Sequence, residues 1–250
     1  TPSIGVFMTK PQLTARHLAY QEALRDKDMK PVIAYGSAGT GKTYGAISAA
    51  LEQFELGTVR TIIVTRPNVS FADGNGFLPG TEREKMEPWV RPILQNMQRC
   101  GYSKGQIECM EKNGNLQFYP LEFIQGLTFD NAFIIVDEVQ NMSYEQLKVF
   151  LTRTGVWSRV VMAGDIAQIS PKFHRSGLAN LLNMVEAMDS PIHTIEFHRE
   201  DILRSGQCKQ WIMDFEDFEA GIDLSAYKEE VPDNPEEYDM GEIPLHMQVK

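Results

Sequence analysis

Long apolar runs, paired cysteines and a surplus of positive charge are all missing from this chain. No stretch reaches the roughly 18 apolar residues that a membrane-spanning helix needs, so no segment is expected to cross a bilayer. Only Cys100, Cys109 and Cys208 occur, without CxxC spacing. An odd, sparse set of this kind suits reduced thiols in a cytosol; it argues against a disulfide framework, a zinc site or a thiol nucleophile. The opening residues, TPSIGVFMTKPQLT, lack the basic, apolar and small-residue order of a signal peptide. They also lack an initiator Met, so a trimmed or omitted N-terminus is expected; the sparse thiols make a cytoplasmic location the expectation. The net charge is −10, which taken alone disfavours a nucleic-acid partner. Its distribution removes that objection. Residues 1–213 hold 22 basic and 22 acidic side chains, whereas residues 214–250 hold 2 and 12. A near-neutral core can still carry a local basic groove.

What is present suffices for one α/β domain with appendages: 250 residues, 42% of them hydrophobic. Residues 1–12 read as an irregular arm, and Thr14 as the N-cap of a helix ending at Leu24. Pro31–Tyr35 is a short β-prone run ending at Gly36, followed by a glycine-punctuated loop to Thr43 and a helix over Tyr44–Phe54. Thr58–Thr65 is a second buried strand, and this order begins a parallel α/β sheet. Residues 66–125 are less regular and read as an insertion, with a helix near Glu82–Cys100 and a β-like segment at Leu116–Tyr119. Strands are expected at Ala132–Val136, Arg159–Ala163 and Ile192–Phe197, and helices at Ser143–Leu151 and Gly177–Met188. No internal repeat or second core is visible. From Asp214 onward the chain is acidic and poor in aliphatic residues, and reads as a solvated, partly disordered tail. Its Phe, Leu and Tyr residues also suit docking onto a neighbouring subunit or a basic groove.

Three segments carry chemistry. Gly36-Ser37-Ala38-Gly39-Thr40-Gly41-Lys42-Thr43 fits G-x-x-x-x-G-K-[ST] in full, between a strand and a helix. Backbone N–H groups of such a loop turn inward around phosphate oxygens, and the helix N-terminus adds favourable partial charge. Lys42 reaches the β- and γ-phosphates as a point charge, while the Thr43 hydroxyl is a Mg2+ ligand. Phe133-Ile-Ile-Val136-Asp137-Glu138 places two acids at the C-terminal end of a buried strand, where parallel-sheet sites lie. Asp137 is the second expected Mg2+ ligand and Glu138 the general base that polarises water. Gly164-Asp165-Ile-Ala-Gln168 repeats the pattern of strand followed by polar signature, with Gln168 placed to contact the γ-phosphate or the lytic water.

Taken with flanking segments, these motifs resemble the PhoH family, phosphate-loop ATPases related in motif style to superfamily 1 helicases. The resemblance runs from about Leu13 to Gln210. It includes Gly36 to Tyr44, Val64-Thr-Arg-Pro67, Gly76-Phe-Leu-Pro-Gly80 and Glu84-Lys-Met-Glu-Pro-Trp-Val-Arg-Pro92. Phe133 to Asn141, Phe150-Leu-Thr-Arg-Thr-Gly155, Gly164 to Gln168 and Ser176-Gly-Leu178 complete it. It implies one RecA-like core over 13–213 with a parallel sheet flanked by helices, followed by the acidic tail over 214–250. It also implies hydrolysis of ATP linked to RNA, with helicase-like activity. The small chain suits a bacteriophage member, and hence a host cytoplasm. About thirty residues precede the phosphate loop, too few for the nuclease domain of larger relatives, so RNA cleavage is not expected. Relatives carry a Gln before the first helix that reads adenine; the nearest match is His17, flanked by Gln12 and Gln21, and Tyr44 follows the phosphate loop. The family's acid-x-x-Arg segment corresponds to Asp201-Ile-Leu-Arg204.

Partners follow from what one lobe lacks. Superfamily 1 helicases place ATP between two RecA-like lobes, and this chain has residues for one. A homo-oligomeric ring, a hexamer on the resemblance, supplies the opposing arginine from a neighbour as Arg153, Arg204 or both. Candidate contacts to single-stranded RNA or DNA are Arg66, Asn68 and Phe71, then Phe77, Lys85, Trp89 and Arg91, because aromatic and cationic groups together stack bases and pair phosphates. Two functions stay open: an ATP-driven remodeller of single strands, or a nucleotide-gated switch or scaffold without translocation. A small-molecule kinase is the weaker reading, since Asp137, Glu138 and Gln168 resemble a hydrolytic set.

Overall fold

Short aliphatic strands alternate with helices in this protein, so each strand can lie parallel to its neighbours with a helix carrying the chain back. The computed structural model describes residues 13–67, 82–124, 128–165, 176–204 and 206–221, without the side chains of 82–85 and 219–221. In chain order the elements are α1 (Ala15–Leu24), β1 (Val32–Gly36), α2 (Lys42–Glu55), β2 (Thr61–Arg66), α3 (Glu82–Arg99), α4 (Lys104–Lys112) and β3 (Leu116–Pro120). Then come α5 (Leu121–Ile124), β4 (Ala132–Val136), α6 (Tyr144–Leu151), β5 (Arg159–Gly164), α7 (Gly177–Ala187), β6 (His193–Phe197) and α8 (Gly206–Gly221). Among the described residues six strands form one parallel sheet in the order β3-β2-β4-β5-β1-β6.

Alternation along each strand feeds two cores. Phe133 and Ile135 of β4 point to the face covered by α1 to α4, against Ala46, Ile93 and Met97. Ile134 and Val136 point to the other face, against Leu147, Phe150, Leu178 and Leu181 of α6 and α7. Strands buried on both faces need continuous apolar sequence, as Ala132 to Val136 has. Phe133 is fully buried, and truncating it to Ala costs about 3–5 kcal/mol.

The segment expected as an insertion is part of this fold. β3 pairs with β2 as an edge strand, and α3 places Ile93 and Met97 in the core despite its internal Pro88 and Pro92. The sequence reading missed α4. It buries only Ile107 and Met110, and its N-terminal signal is a capping box in which Ser103 accepts the Gln106 N–H at 3.3 Å.

Arg159, at the start of β5, is wholly buried. Its guanidinium donates to the carbonyls of Ala23 (3.2 Å), Lys30 (3.1 Å) and Asp26. It thereby ties the C-terminal end of α1 and the loop into β1 to the middle of the sheet. Burial pulls its pKa down, although Asp26 opposes the shift.

The chain divides into two units, Thr1–Lys209 and Gln210–Lys250. α8 begins in the first and continues through Asp214, so the first residues of the expected acidic tail are helical. Residues 222–250 lie outside the described set, as does the arm 1–12. Among the described residues no helix is long and apolar enough to cross a membrane.

Candidate functional site

The C-terminal ends of β1, β4 and β5 meet at one cleft, with a volume of about 660 Å3. The loop after β1 forms its floor. Gly36 has φ 106°, and a Cβ there would overlap the Phe197 carbonyl oxygen, so no side chain fits. Gly41 has φ 83° and caps α2, and a Cβ would press on Leu203 at 3.0 Å. Between them Thr40 is buried and donates to the Ser37 carbonyl at 3.0 Å. The Lys42 ammonium reaches back across the loop to the carbonyls of Gly36 and Ser37, both at 2.7 Å.

Thr43, in the first turn of α2, donates its hydroxyl to Asp137 Oδ1 at 2.8 Å. Burial raises the Asp137 pKa, and the Glu138 charge raises it further, against the hydrogen bond from Thr43 and the charge of Arg66. Glu138 follows in the left-handed region (φ 54°, ψ 40°). A non-glycine residue held there stores about 1–3 kcal/mol of strain, and here the turn swings the chain off β4 at the cleft. Gln140, fully buried, donates to Glu138 Oε2 at 2.6 Å and accepts the Asp165 N–H at 3.0 Å. The sequence reading did not single out Gln140. Its only local signal was its place two residues after a paired acid.

Three of the residues named from the sequence lie at the cleft. Arg66, assigned to nucleic acid, is at the end of β2 with its guanidinium 3.9 Å from Asp137 Oδ2 and 3.8 Å from Glu138 Oε1. The pairing follows from register, because Thr65 lies opposite Val136. Trp89, assigned to the same contact, lines the cleft and meets Phe118 edge-on at 5.9 Å. Asn96 and Arg99 on the same face of α3 also line the cleft, and nothing in their local sequence marks them. Arg204, offered as an arginine given to a neighbour, lines the cleft of its own chain. It is held there because Leu203 donates its N–H to the Gly39 carbonyl at 3.0 Å.

His17 lies apart from these three. It is buried, and it does not line the cleft. Nδ1 lies 3.1 Å from the Thr14 backbone nitrogen and 2.8 Å from its hydroxyl, and Nε2 bonds the Thr40 carbonyl at 3.0 Å. Thr14 donates in turn to Asp201 Oδ1 at 2.5 Å. Both ring nitrogens are committed, so His17 braces the phosphate loop from behind and has no edge left for a base. Asp201, wholly buried, also accepts the His198 N–H at 2.8 Å and faces Arg16 at 3.3 Å. Burial pushes its pKa up, but these hydrogen bonds and the positive neighbours outweigh it and hold the carboxyl below its usual range.

Tyr44 lines the cleft and is half-exposed. Arg153 and Arg91 are exposed and do not line it. Gln168, Asn68, Phe71 and Phe77 lie outside the described residues, as does the side chain of Lys85.

Residues 10–216 match the protein family described as PhoH-like protein. The chain belongs to the PhoH family. A PhoH-like protein of Bacillus subtilis (strain 168) is 37% identical over 186 residues, covering 74% of this chain and 57% of that protein. Protein PhoH of Escherichia coli (strain K12) is 36% identical over 195 residues, covering 77% and 54%. This PhoH-family chain therefore spans about half the length of such relatives. In fold it is similar to the large terminase of a thermophilic bacteriophage, with a TM-score of 0.53 at 11% identity, over 85% of this chain and 52% of that one. A second structure of that terminase, in complex with ADP, gives 0.52 at 14% identity, over 84% and 51%. The likeness shows a shared fold: a single RecA-like phosphate-loop core with a parallel sheet between helices.

Proposed function

We propose that this chain binds ATP with Mg2+ in the cleft and hydrolyses it, and that hydrolysis is coupled to binding or remodelling single-stranded RNA or DNA. The observation that carries the reading is the 2.8 Å hydrogen bond from Thr43 to Asp137. It brings the phosphate loop and the end of β4 together with Glu138 next in the chain. Backbone N–H groups from Gly36 to Thr43, with Lys42, hold the phosphates. One hydroxyl and one carboxylate suit Mg2+, which binds through few protein ligands and keeps its waters and the substrate phosphates. When bound, that ion neutralises charge developing on the phosphates.

Glu138 takes the proton of the attacking water. Its Oε2 already accepts from Gln140, so Oε1 is the oxygen that receives it, beside Arg66. Arg66 and Arg204 stabilise charge in the chain's own cleft, Gln168 reports the γ-phosphate, and Arg153 serves the cleft of a neighbour in a homo-oligomeric ring, a hexamer by family likeness. A terminase of this fold has been captured with ADP, which supports a nucleoside triphosphate as the substrate. The chain acts in a cytoplasm, and its ATPase domain covers 13–213.

One observation favours a second reading. Arg66 and Trp89, two of the candidate nucleic-acid contacts, face the cleft, which leaves the described surface with Arg91 alone from that set. A nucleotide-gated switch or scaffold fits this as well as a motor does. Steady-state ATP hydrolysis with and without single-stranded RNA separates them. The coupled reading expects stimulation that weakens as salt rises. Arg66→Ala is expected to lower unstimulated turnover by about 10²-fold while RNA affinity stays the same. Slow turnover with no response to RNA or DNA leaves the switch.

A further inference from the structure

A phosphate loop fixes where the phosphates of a nucleotide lie, and the walls around it decide which way the base runs. Towards α1 the way is closed. His17 bonds the Thr40 carbonyl at 3.0 Å, and the buried Tyr20 donates its hydroxyl to the Lys42 carbonyl at 3.0 Å. None of the described residues of α1 lines the cleft. On the β6 side Leu203 closes against Gly41, with its N–H on the Gly39 carbonyl.

Towards α3 the cleft continues. Trp89, Pro92, Asn96 and Arg99 line it, and their spacing of three or four residues sets them in one stripe along the helix. Tyr44, in the first turn of α2, lines the same cleft with 41% of its surface exposed. Its phenol stands beside the end of α3: burial raises its pKa, the Cys100 thiol raises it further, and the Arg99 charge opposes the rise. An exposed ring next to a phosphate loop is a stacking surface, since every base has a π-face.

Asn96 is half-buried, and its Oδ1 accepts from Arg99 Nη1 at 3.4 Å. That bond uses one lone pair of the amide and leaves a donor and an acceptor for a ligand. A donor beside an acceptor matches the N6 amino group and N7 of adenine. Guanine presents two acceptors, O6 and N7, on that edge, so an amide leaves one of them unpaired. An arginine pairs both, but Arg99 is exposed and already donates to Asn96.

We infer that the space between Tyr44 and α3 is the nucleobase subsite, with adenine stacked on Tyr44 and its amino edge read by Asn96. Arg99 orients the Asn96 amide, and Trp89 and Pro92 supply the apolar wall. The occupant follows from continuity: one cleft of about 660 Å3 holds both the phosphate loop and this wall, and the base is covalently tied to the phosphates held at Lys42. The inference rests on the nucleotide reading above.

Equilibrium binding of ATP, GTP and inorganic tripolyphosphate to the full chain, each with Mg2+, is measured by calorimetry. Wild type is expected to bind ATP roughly tenfold or more tighter than GTP. Asn96→Ala is expected to bring the two within about threefold of each other. Tyr44→Ala is expected to weaken both by roughly fivefold or more, and Tyr44→Phe, which keeps the ring, to restore them. Tripolyphosphate should bind all four proteins equally, because it has no base; a loss of ATP affinity then cannot be a loss of fold. A wild type that binds ATP and GTP alike overturns the inference and leaves the nucleotide reading standing. An ATP-to-GTP ratio unchanged in Asn96→Ala does the same. A wild type that binds none of the three ligands overturns both.

Discussion

The Gln140 side chain joins Glu138 to the end of β5, donating to Glu138 Oε2 at 2.6 Å and accepting the Asp165 N–H at 3.0 Å. An amide can do this because it carries a donor and an acceptor on one planar group. A Cβ on Gly164 would lie 2.6 Å from the same Gln140 oxygen, so β5 must end in glycine for the bridge to form. The carboxylate proposed as the base is thereby referenced to two strands.

Removing the bridge should misplace Glu138 without touching the phosphate loop. Gln140→Ala is expected to lower kcat by about 10²-fold, with nucleotide affinity near wild type. Gln140→Glu keeps an acceptor for Asp165 but repels Glu138, and should do no better. Single-turnover hydrolysis alongside equilibrium binding of a fluorescent nucleotide separates the two quantities. Equal losses in both would assign Gln140 to binding.

The fold makes a separate demand at Arg159. Replacing it with Met fills similar volume but strands the carbonyls of Ala23, Asp26 and Lys30 that it now satisfies. Hydrogen bonds to a charged group are worth about 1.5–3 kcal/mol each net of water, and removing the guanidinium also relieves the cost of burying its charge, so a net loss of about 3 kcal/mol is expected. Urea denaturation should show a lower midpoint at unchanged slope, because the surface exposed on unfolding stays the same. A midpoint within error of wild type contradicts this account of the buried guanidinium.

Acid should erase the contribution of Asp201. Its pKa is depressed in the folded protein from the ordinary 3.8. The stability it contributes is therefore fully present above 3.8 and is lost as pH falls through the folded value. Asp201→Asn is expected to melt below wild type at neutral pH, and the gap should hold down to about pH 5 and close below 3.8. Thermal melts of both proteins across that range test it. A gap that widens in acid has the wrong sign.

These residues also mark how far the sequence could be read. The phosphate loop and Asp137-Glu138 are contiguous, and their spacing carries their geometry, so they were legible before any fold was known. The sheet was legible for the same reason: runs such as Ala132–Val136 and Val160–Gly164 are apolar throughout because both faces are covered. Arg66, Trp89, Asn96 and Arg99 were not legible as cleft residues. They arrive from β2 and α3, and only strand register and the packing of α3 on α2 bring them to the loop. His17 was only the nearest match to a base-reading Gln, and its sequence position did not show that its ring bonds Thr14 and Thr40.

The most direct test of the central claim is steady-state ATP hydrolysis by wild type and Glu138→Gln, with nucleotide binding measured in parallel. The account predicts turnover reduced by about 10²–10⁴-fold with binding retained, because phosphate contacts remain and only the proton acceptor is lost. Hydrolysis at the wild-type rate would contradict it and remove Glu138 from the chemistry.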